Sequence, residues 1–254
     1  MARPNFGFQK RQKEISKQEK KAAKAEKKRL RNEAPAGGES AGGGQAEEGE
    51  EEDDEDYDAT DPSSPELRAR LHRLCEEGWD LWERFDTGVR AHTFHPFVAA
   101  DYPMVLEALI PLRSPGLRFL EWGSATGVIT IMADLLGFEA WGIEIDRSLV
   151  EQARELAHRT GSGARFVQGS FLPTGYRWRA PGGDHRTGTI EEGESGYLKM
   201  GKPVEDFDVV FGYPWPGEEP LMLELMRVHG RRDAILVLHS PEGVRIYRGG
   251  RLAA

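Results

Sequence analysis

The stretch from Arg118 to Asp146 constrains the fold more than any other part of the chain. It opens with an apolar run, Arg118-Phe-Leu-Glu-Trp122, and passes through a turn of small residues, Gly123-Ser-Ala-Thr-Gly127. Val128, Ile129, Ile131, Met132, Leu135 and Leu136 then recur at the spacing of one helical face, and Gly137 ends the stripe. A second short apolar run, Glu139–Ile145, follows. Two runs too short for helices, joined by a helix, predict parallel strands with a right-handed crossover.

The same alternation continues downstream. Leu117–Trp122 is the first predicted strand and Glu139–Ile145 the second; Ala164–Gln168, Phe207–Phe211 and Ala234–His239 supply three more. Asp146 caps the helix after strand two, Ser148 and Glu151 have the spacing of a capping box within it, and it runs to Thr160 with Gly161 just beyond. Glu218–Val228 is predicted helical, with Leu221, Met222, Leu225 and Met226 on its buried side. Ahead of strand one, Ser64-Pro65-Glu66 starts a helix carrying Leu67, Leu71, Leu74, Gly78, Leu81, Trp82 and Phe85, expected to pack on one side or edge of the sheet. Asp101 caps another with Val105, Leu106, Leu109 and Ile110. The expected class is α/β, a doubly wound, mainly parallel sheet. Residues 173–205 break the rhythm with glycines and polar residues, and Thr187–Ile190 with Tyr197–Met200 could form a hairpin there. Val244–Tyr247 can add one late strand.

Charge divides the chain into three parts. Residues 1–33 hold twelve Lys and Arg against four Glu; residues 34–66 hold thirteen Asp and Glu and no basic residue; the remainder is nearly balanced. The net charge of −9 therefore describes none of them. The predicted organisation is a basic, disordered or marginally helical tail (1–33), an acidic, Gly-rich linker without enough apolar residues to fold (34–62), and one domain (63–254). The tail has the charge to contact nucleic-acid phosphates, though it could equally be a solubilising arm. Cys75 is the single cysteine, which excludes an intrachain disulfide and fits a reducing compartment. Without an apolar run of membrane-spanning length, a cytoplasmic protein is expected, with no membrane contact.

The chemistry concentrates at the first turn. Small residues at Gly123, Ala125 and Gly127 let the backbone approach a ligand closely, so that amide N–H groups can point at it. A carboxylate precedes the turn at Glu121 and another ends strand two at Glu144. That order can hold an adenosine-containing cofactor at the carboxyl edge of the sheet. The glycine spacing is two and two, not the G-x-G-x-x-G of dinucleotide sites. Glu121-Trp-Gly-Ser-Ala-Thr-Gly127 resembles motif I, E/D-x-G-x-G-x-G, of the class I S-adenosylmethionine-dependent methyltransferases. The resemblance extends over about residues 95–240.

It implies S-adenosylmethionine as cofactor and no metal. Glu121 would lie toward the methionine end, and Gly123, Ser124, Ala125, Thr126 and Gly127 would form the cradle. Glu144 would accept from the ribose hydroxyls, with Ile145 against the adenine and Ser170 and Phe171 beside it. Ser170 stands where the family often has Asp. Phe211-Gly212-Tyr213-Pro214-Trp215-Pro216 matches the place of motif IV, with Gly212 near the cofactor and Tyr213 toward the acceptor. It lacks that motif's opening Asp or Asn, so adenine or glutamine methylation is not supported. Tyr213, His95 and His239 are candidates to position or deprotonate an acceptor, and His185 has no assigned role. Two other functions fit the fold: a noncatalytic RNA- or ribosome-associated adaptor, and an NAD(P)-dependent oxidoreductase, which the glycine spacing disfavours.

Overall fold

A computed structural model describes residues 59–114, 116–176, 190 and 193–253. The basic tail and its nucleic-acid contact, nearly all of the linker, His185 and Thr187–Thr189 lie outside the described residues. The chain divides into two units, Met1–Asp54 and Glu55–Ala254, and all that follows concerns the second.

Seven strands form one sheet: β1 (Arg118–Trp122), β2 (Glu139–Glu144), β3 (Arg165–Gln168), β4 (Val209–Gly212), β5 (Ile235–Ser240), β6 (Gly243–Arg248) and β7 (Arg251–Leu252). Their order is β3-β2-β1-β4-β5-β6-β7. β1 to β5 pair in parallel, β6 runs antiparallel to β5, and β7 antiparallel to β6. The chain leaves β1 for β2 on one side and later returns to β4 on the other. The crevice of the sheet therefore opens at the carboxyl ends of β1, β2 and β4. The single late strand expected at Val244–Tyr247 is a hairpin of two, because Gly249 and Gly250, at φ 55° and 74°, turn the chain back.

Among the described residues six α-helices accompany the sheet: α1 (Pro65–Phe85), α2 (Tyr102–Leu109), α3 (Val128–Leu135), α4 (Arg147–Thr160), α5 (Gly196–Met200) and α6 (Glu219–His229). Strand side chains alternate between two cores. Phe119, Phe211 and Val237 pack with α1 to α4, while Leu120, Trp122, Val210 and Leu236 pack with α6 and with Phe171, Ile190 and Tyr197. Every residue of α3 except Asp134 is buried, since α1 and α2 cover the face its stripe leaves over. Gly78 permits that approach, because a Cβ there would lie 2.8 Å from both Tyr102 and Val128.

The helix starts follow the expected caps at two places. Leu67 N–H meets Ser64 Oγ, and Met104 N–H donates to Asp101 Oδ1 at 3.1 Å. The Ser148/Glu151 capping box does not form. Asp146 alone caps α4, accepting from the amides of Ser148 and Leu149 and from Ser148 Oγ, while Glu151 pairs with Arg147. The hairpin proposed for Tyr197–Met200 is absent too: those residues lie in α5, one turn standing where a crossover helix would run. Gly169 and Gly196 bring this turn against β3, a Cβ on Gly169 falling 2.7 Å from the Gly196 backbone. Trp122 Nε1–H donates to Tyr197 Oη at 2.7 Å inside the second core and fastens α5 to the tip of β1.

Candidate functional site

The turn after β1 is held by the strand beside it. Gly123 and Ser124 N–H groups both donate to the Ile143 carbonyl at 2.9 Å. Gly123, Ala125 and Gly127 take φ of 71°, 45° and 80°. Ala125 is the one described non-glycine residue in this left-handed region, a conformation that costs an L-residue about 1–2 kcal/mol. The turn that results points the Ala125 amide at Glu144 Oε2, 2.8 Å away. Glu144 Oε1 accepts from Asp146 N–H at 2.9 Å. Both carboxylate oxygens thus take backbone donors, and the side chain is fixed at the lip of β2.

Glu121 is held differently. Gly127 is the cap residue of α3 but has no side chain, so the helix lacks a local acceptor for its first amides. Glu121 Oε2 takes that role, accepting from Thr130 N–H at 2.9 Å and from the Thr130 hydroxyl. A carboxylate at a helix N-terminus suits the helix dipole. Burial still dominates: Glu121 is 4% exposed, and desolvation pushes its carboxyl up to about 8 despite the Thr130 hydrogen bonds, with nearby Glu144 adding. Burial also raises Glu144.

These shifts have a measurable sign. Glu121 stands above its ordinary 4.5, so the folded chain holds a proton that the unfolded chain has lost between that value and about 8. Its contribution makes stability fall as pH rises through that window. Thermal unfolding of Glu121→Gln across the window should show a flatter pH dependence than the parent; an unchanged slope would contradict the shift.

One cleft joins the two carboxylates. Its lining includes Glu121, Gly123, Ser124, Ala125, Thr126, Glu144, Ile145, Gly169, Ser170, Phe171, Phe211, Tyr213 and Trp215, with His95, Pro96, Phe97, Val98, Ala100 and Tyr102 opposite. The strand order, the turn and the two acidic strand tips agree with what the sequence resembles. A ribosomal protein L11 methyltransferase from Thermus thermophilus is 39% identical over 103 residues, 38% of this chain and 41% of that protein's length. The α/β architecture, with its mainly parallel sheet, resembles that of the class I S-adenosylmethionine-dependent methyltransferases. No protein-family model matches the chain. Among solved structures, an RNA methyltransferase from Salinibacter ruber with S-adenosyl-L-homocysteine is 20% identical, covering 59% of this chain and 91% of that one at a TM-score of 0.41. A SAM-dependent methyltransferase from Thiobacillus denitrificans with the same ligand is 18% identical, covering 62% and 54% at a TM-score of 0.38. The chain spans less than half of the curated relative's length.

Most of the residues singled out by sequence converge on the cleft, but Gly127 and Gly212 do not line it. A Cβ on Gly127 would lie 2.6 Å from the Phe166 ring and 2.8 Å from Ala153 Cβ, so this glycine serves helix–strand packing. Gly212 faces Met222, with a Cβ 2.7 Å from its sulfur, and serves the packing of α6. His95 reaches the cleft with both ring nitrogens engaged: Nδ1 accepts from Phe97 N–H at 3.1 Å, and Nε2 lies 3.4 Å from Asp146 Oδ2. It therefore clasps the 94–98 segment to the lip of β2 and has no lone pair left to act as a base. His239 is buried outside the lining, its Nε2 accepting from Asp101 N–H at 3.3 Å and its ring against Tyr213. Burial lowers it to about 4, so it is neutral. Tyr213 lines the cleft, and burial, with Glu242 nearby, raises its phenol. It stays protonated at neutral pH and can orient a partner but not deprotonate one.

The wall from Pro96 to Tyr102 was missed by sequence reasoning. Phe94-His-Pro-Phe97 was its only signal, a proline among aromatics in a stretch without periodicity.

The cleft also fits an adenosyl ligand on its own geometry. Ser124 Oγ is buried in the turn without a hydrogen-bond partner. Gly142 makes room for it, since a Cβ there would lie 2.6 Å from Ser124 Cβ and Oγ. A hydroxyl and a fixed carboxylate beside the apolar Ile145 and Phe171 match a ribose next to a base.

Proposed function

We propose that the chain transfers a methyl group from S-adenosylmethionine to an acceptor presented at the Tyr213–Trp215 side of the cleft. The observation that carries this is the placement of Glu144: buried, fixed by two backbone amides, and facing the same cleft as Glu121. Glu144 would accept from the ribose hydroxyls and Ile145 would lie against the adenine. Ser170 and Phe171 would border the base, and Glu121 would face the methionine end.

The cofactor, when bound, supplies an already activated methyl on a sulfonium. The protein's contribution is then chiefly alignment, which can account for many powers of ten in rate. Tyr213 orients the acceptor through its phenol, and the 94–98 segment, held by His95, walls the cleft from solvent. The Thermus thermophilus relative is named for its ribosomal protein substrate, which favours a protein acceptor over RNA. The single cysteine favours a reducing, cytoplasmic setting.

Calorimetry on the full chain tests the cofactor. S-adenosylhomocysteine should bind with one-site behaviour and raise the melting temperature, and NADH should do neither. Binding of NADH alone would replace this reading with the oxidoreductase one. Binding of S-adenosylhomocysteine without methyl transfer to any cell fraction would favour a noncatalytic adaptor.

A further inference from the structure

Two neighbouring residues of the 94–98 wall reach opposite banks of the cleft. β1 lies between β2 and β4 in the sheet, and the turn that follows it forms the cleft floor. On the β2 bank, His95 Nε2 lies 3.4 Å from Asp146 Oδ2, two residues past Glu144. On the β4 bank, the Phe94 ring centroid lies 6.3 Å from that of Trp215, three residues past Gly212. His95 Nδ1 accepts from Phe97 N–H at 3.1 Å, so the ring proton sits on Nε2 and faces the Asp146 carboxylate. The segment thus crosses over residues 123–126 as a strap tied to both sides.

Its fastening is light. Among the described residues, no main-chain hydrogen bond joins 94–100 to another backbone group; the His95 carbonyl accepts from Arg90 Nε at 3.2 Å. Phe94 is 55% exposed. Phe97 packs on Phe85 with centroids 5.2 Å apart, in a small cluster with Ala125 and Leu149 that is separate from the two main cores. Segments with few backbone bonds and few buried contacts lie at the low end of local stability.

The two ends of the strap differ. After Phe85, α1 gives way to one π-helical turn, Asp86–Arg90, in which no residue is buried. The bonds of this turn run within it or back to α1: Ala91 N–H donates to the Asp86 carbonyl at 3.0 Å, and Thr87 Oγ1–H to the Glu83 carbonyl at 2.8 Å. A Cβ on Gly88 would meet nothing within 4 Å. At the other end Ala99 and Ala100 are buried, and Asp101 N–H donates to His239 Nε2 at 3.3 Å. One end is therefore a hinge in open space and the other a root fixed in the core.

We propose that residues 86–98 form a gate over the nucleoside end of the cleft, latched by His95 on Asp146 and by Phe94 on Trp215, which parts to admit S-adenosylmethionine and to release S-adenosylhomocysteine. The inference rests on the methyltransferase reading and adds the step that limits cofactor exchange. Latched, the strap covers the cofactor during transfer; unlatched, it leaves the Glu144 lip open to solvent. Both latches join protein to protein, so loosening either one speeds entry and exit alike.

Stopped-flow tryptophan fluorescence on the full chain tests the latches. With S-adenosylhomocysteine, the parent's observed association rate should level off at high ligand concentration, at the rate of opening. Phe94→Ala and His95→Ala should each raise association and dissociation rates together, by about fivefold. His95→Gln, whose amide N–H can still reach Asp146, should restore most of the parent's rates. A fixed wall predicts something else: dissociation alone accelerates and affinity falls in proportion. That pattern, or rates unchanged in both alanine variants, would overturn the gate. Amide hydrogen exchange on the parent makes the test independent of how the variants fold. The amides of Phe94, His95, Phe97 and Val98 should exchange at least about tenfold faster than those of β1 and slow when S-adenosylhomocysteine binds. Exchange as slow as that of β1, or indifferent to bound ligand, would also overturn it. Failure to bind S-adenosylhomocysteine at all would instead remove the methyltransferase reading beneath the proposal.

Discussion

Replacing Glu144 with alanine is expected to weaken S-adenosylhomocysteine binding by about 2–3 kcal/mol, a loss of about a hundredfold in affinity. Two effects add. The ribose hydroxyls lose a charged acceptor, and the turn loses the group that orients it, because Ala125 N–H rests on Glu144 Oε2 and Asp146 N–H on Oε1. The second effect reaches the apo protein, where two amide donors lose their acceptor and the melting temperature should fall. Glu144→Gln separates the contributions. Its amide oxygen can keep one backbone bond, so much of the stability should return while the affinity stays low. Calorimetry for binding and thermal unfolding for stability distinguish these outcomes. An alanine variant that binds as tightly as the parent would mean that the ribose lies elsewhere.

Glu144 and Glu121 were legible because the constraints on them are local. Each ends a short apolar run beside a turn, and the register of parallel strands fixes the rest: Glu121 pairs with Gly142 and Phe211, and Trp122 with Ile143. The helical stripe of α3, the cap at Asp101 and the five parallel strands were readable for the same reason, since periodicity and caps act over a few residues. What was not legible depends on contacts between distant segments. The fate of Tyr197–Met200 turns on Gly169 meeting Gly196 and on Trp122 reaching Tyr197, separations that no local pattern reports. His95 looked like a base because its sequence shows only an imidazole. Asp146, 51 positions later, is what occupies its second nitrogen. Gly127 and Gly212 looked like ligand-facing glycines because a motif cannot say whether the space it opens faces a cofactor or a side chain. In both cases the structure shows a side chain.

That distinction at Gly127 can be measured. Gly127→Ala should lower the melting temperature by about 6–12 °C, taking about 3 kcal/mol at 2–4 °C per kcal/mol for a domain of this size. Part of the cost is backbone strain, since φ is 80° and an L-residue there loses about 1–2 kcal/mol. The remainder is overpacking of about 1–3 kcal/mol. The new methyl would lie 2.6 Å from two atoms of the Phe166 ring and 2.8 Å from Ala153 Cβ, both held in a core with little room to yield. Gly161→Ala is the matched control. Its φ is 66°, but nothing lies within 4 Å of a Cβ there, so strain acts alone and the shift should be smaller, reflecting about 1–2 kcal/mol in place of about 3. The difference between the two variants isolates the packing contribution. Because Gly127 touches α4 and β3 and not the cleft, the Gly127→Ala protein, assayed well below its lowered melting temperature, should bind S-adenosylhomocysteine with nearly the parent's affinity. If instead affinity collapses while the melting temperature barely moves, the third glycine of the turn faces the ligand and the packing role assigned to it is wrong.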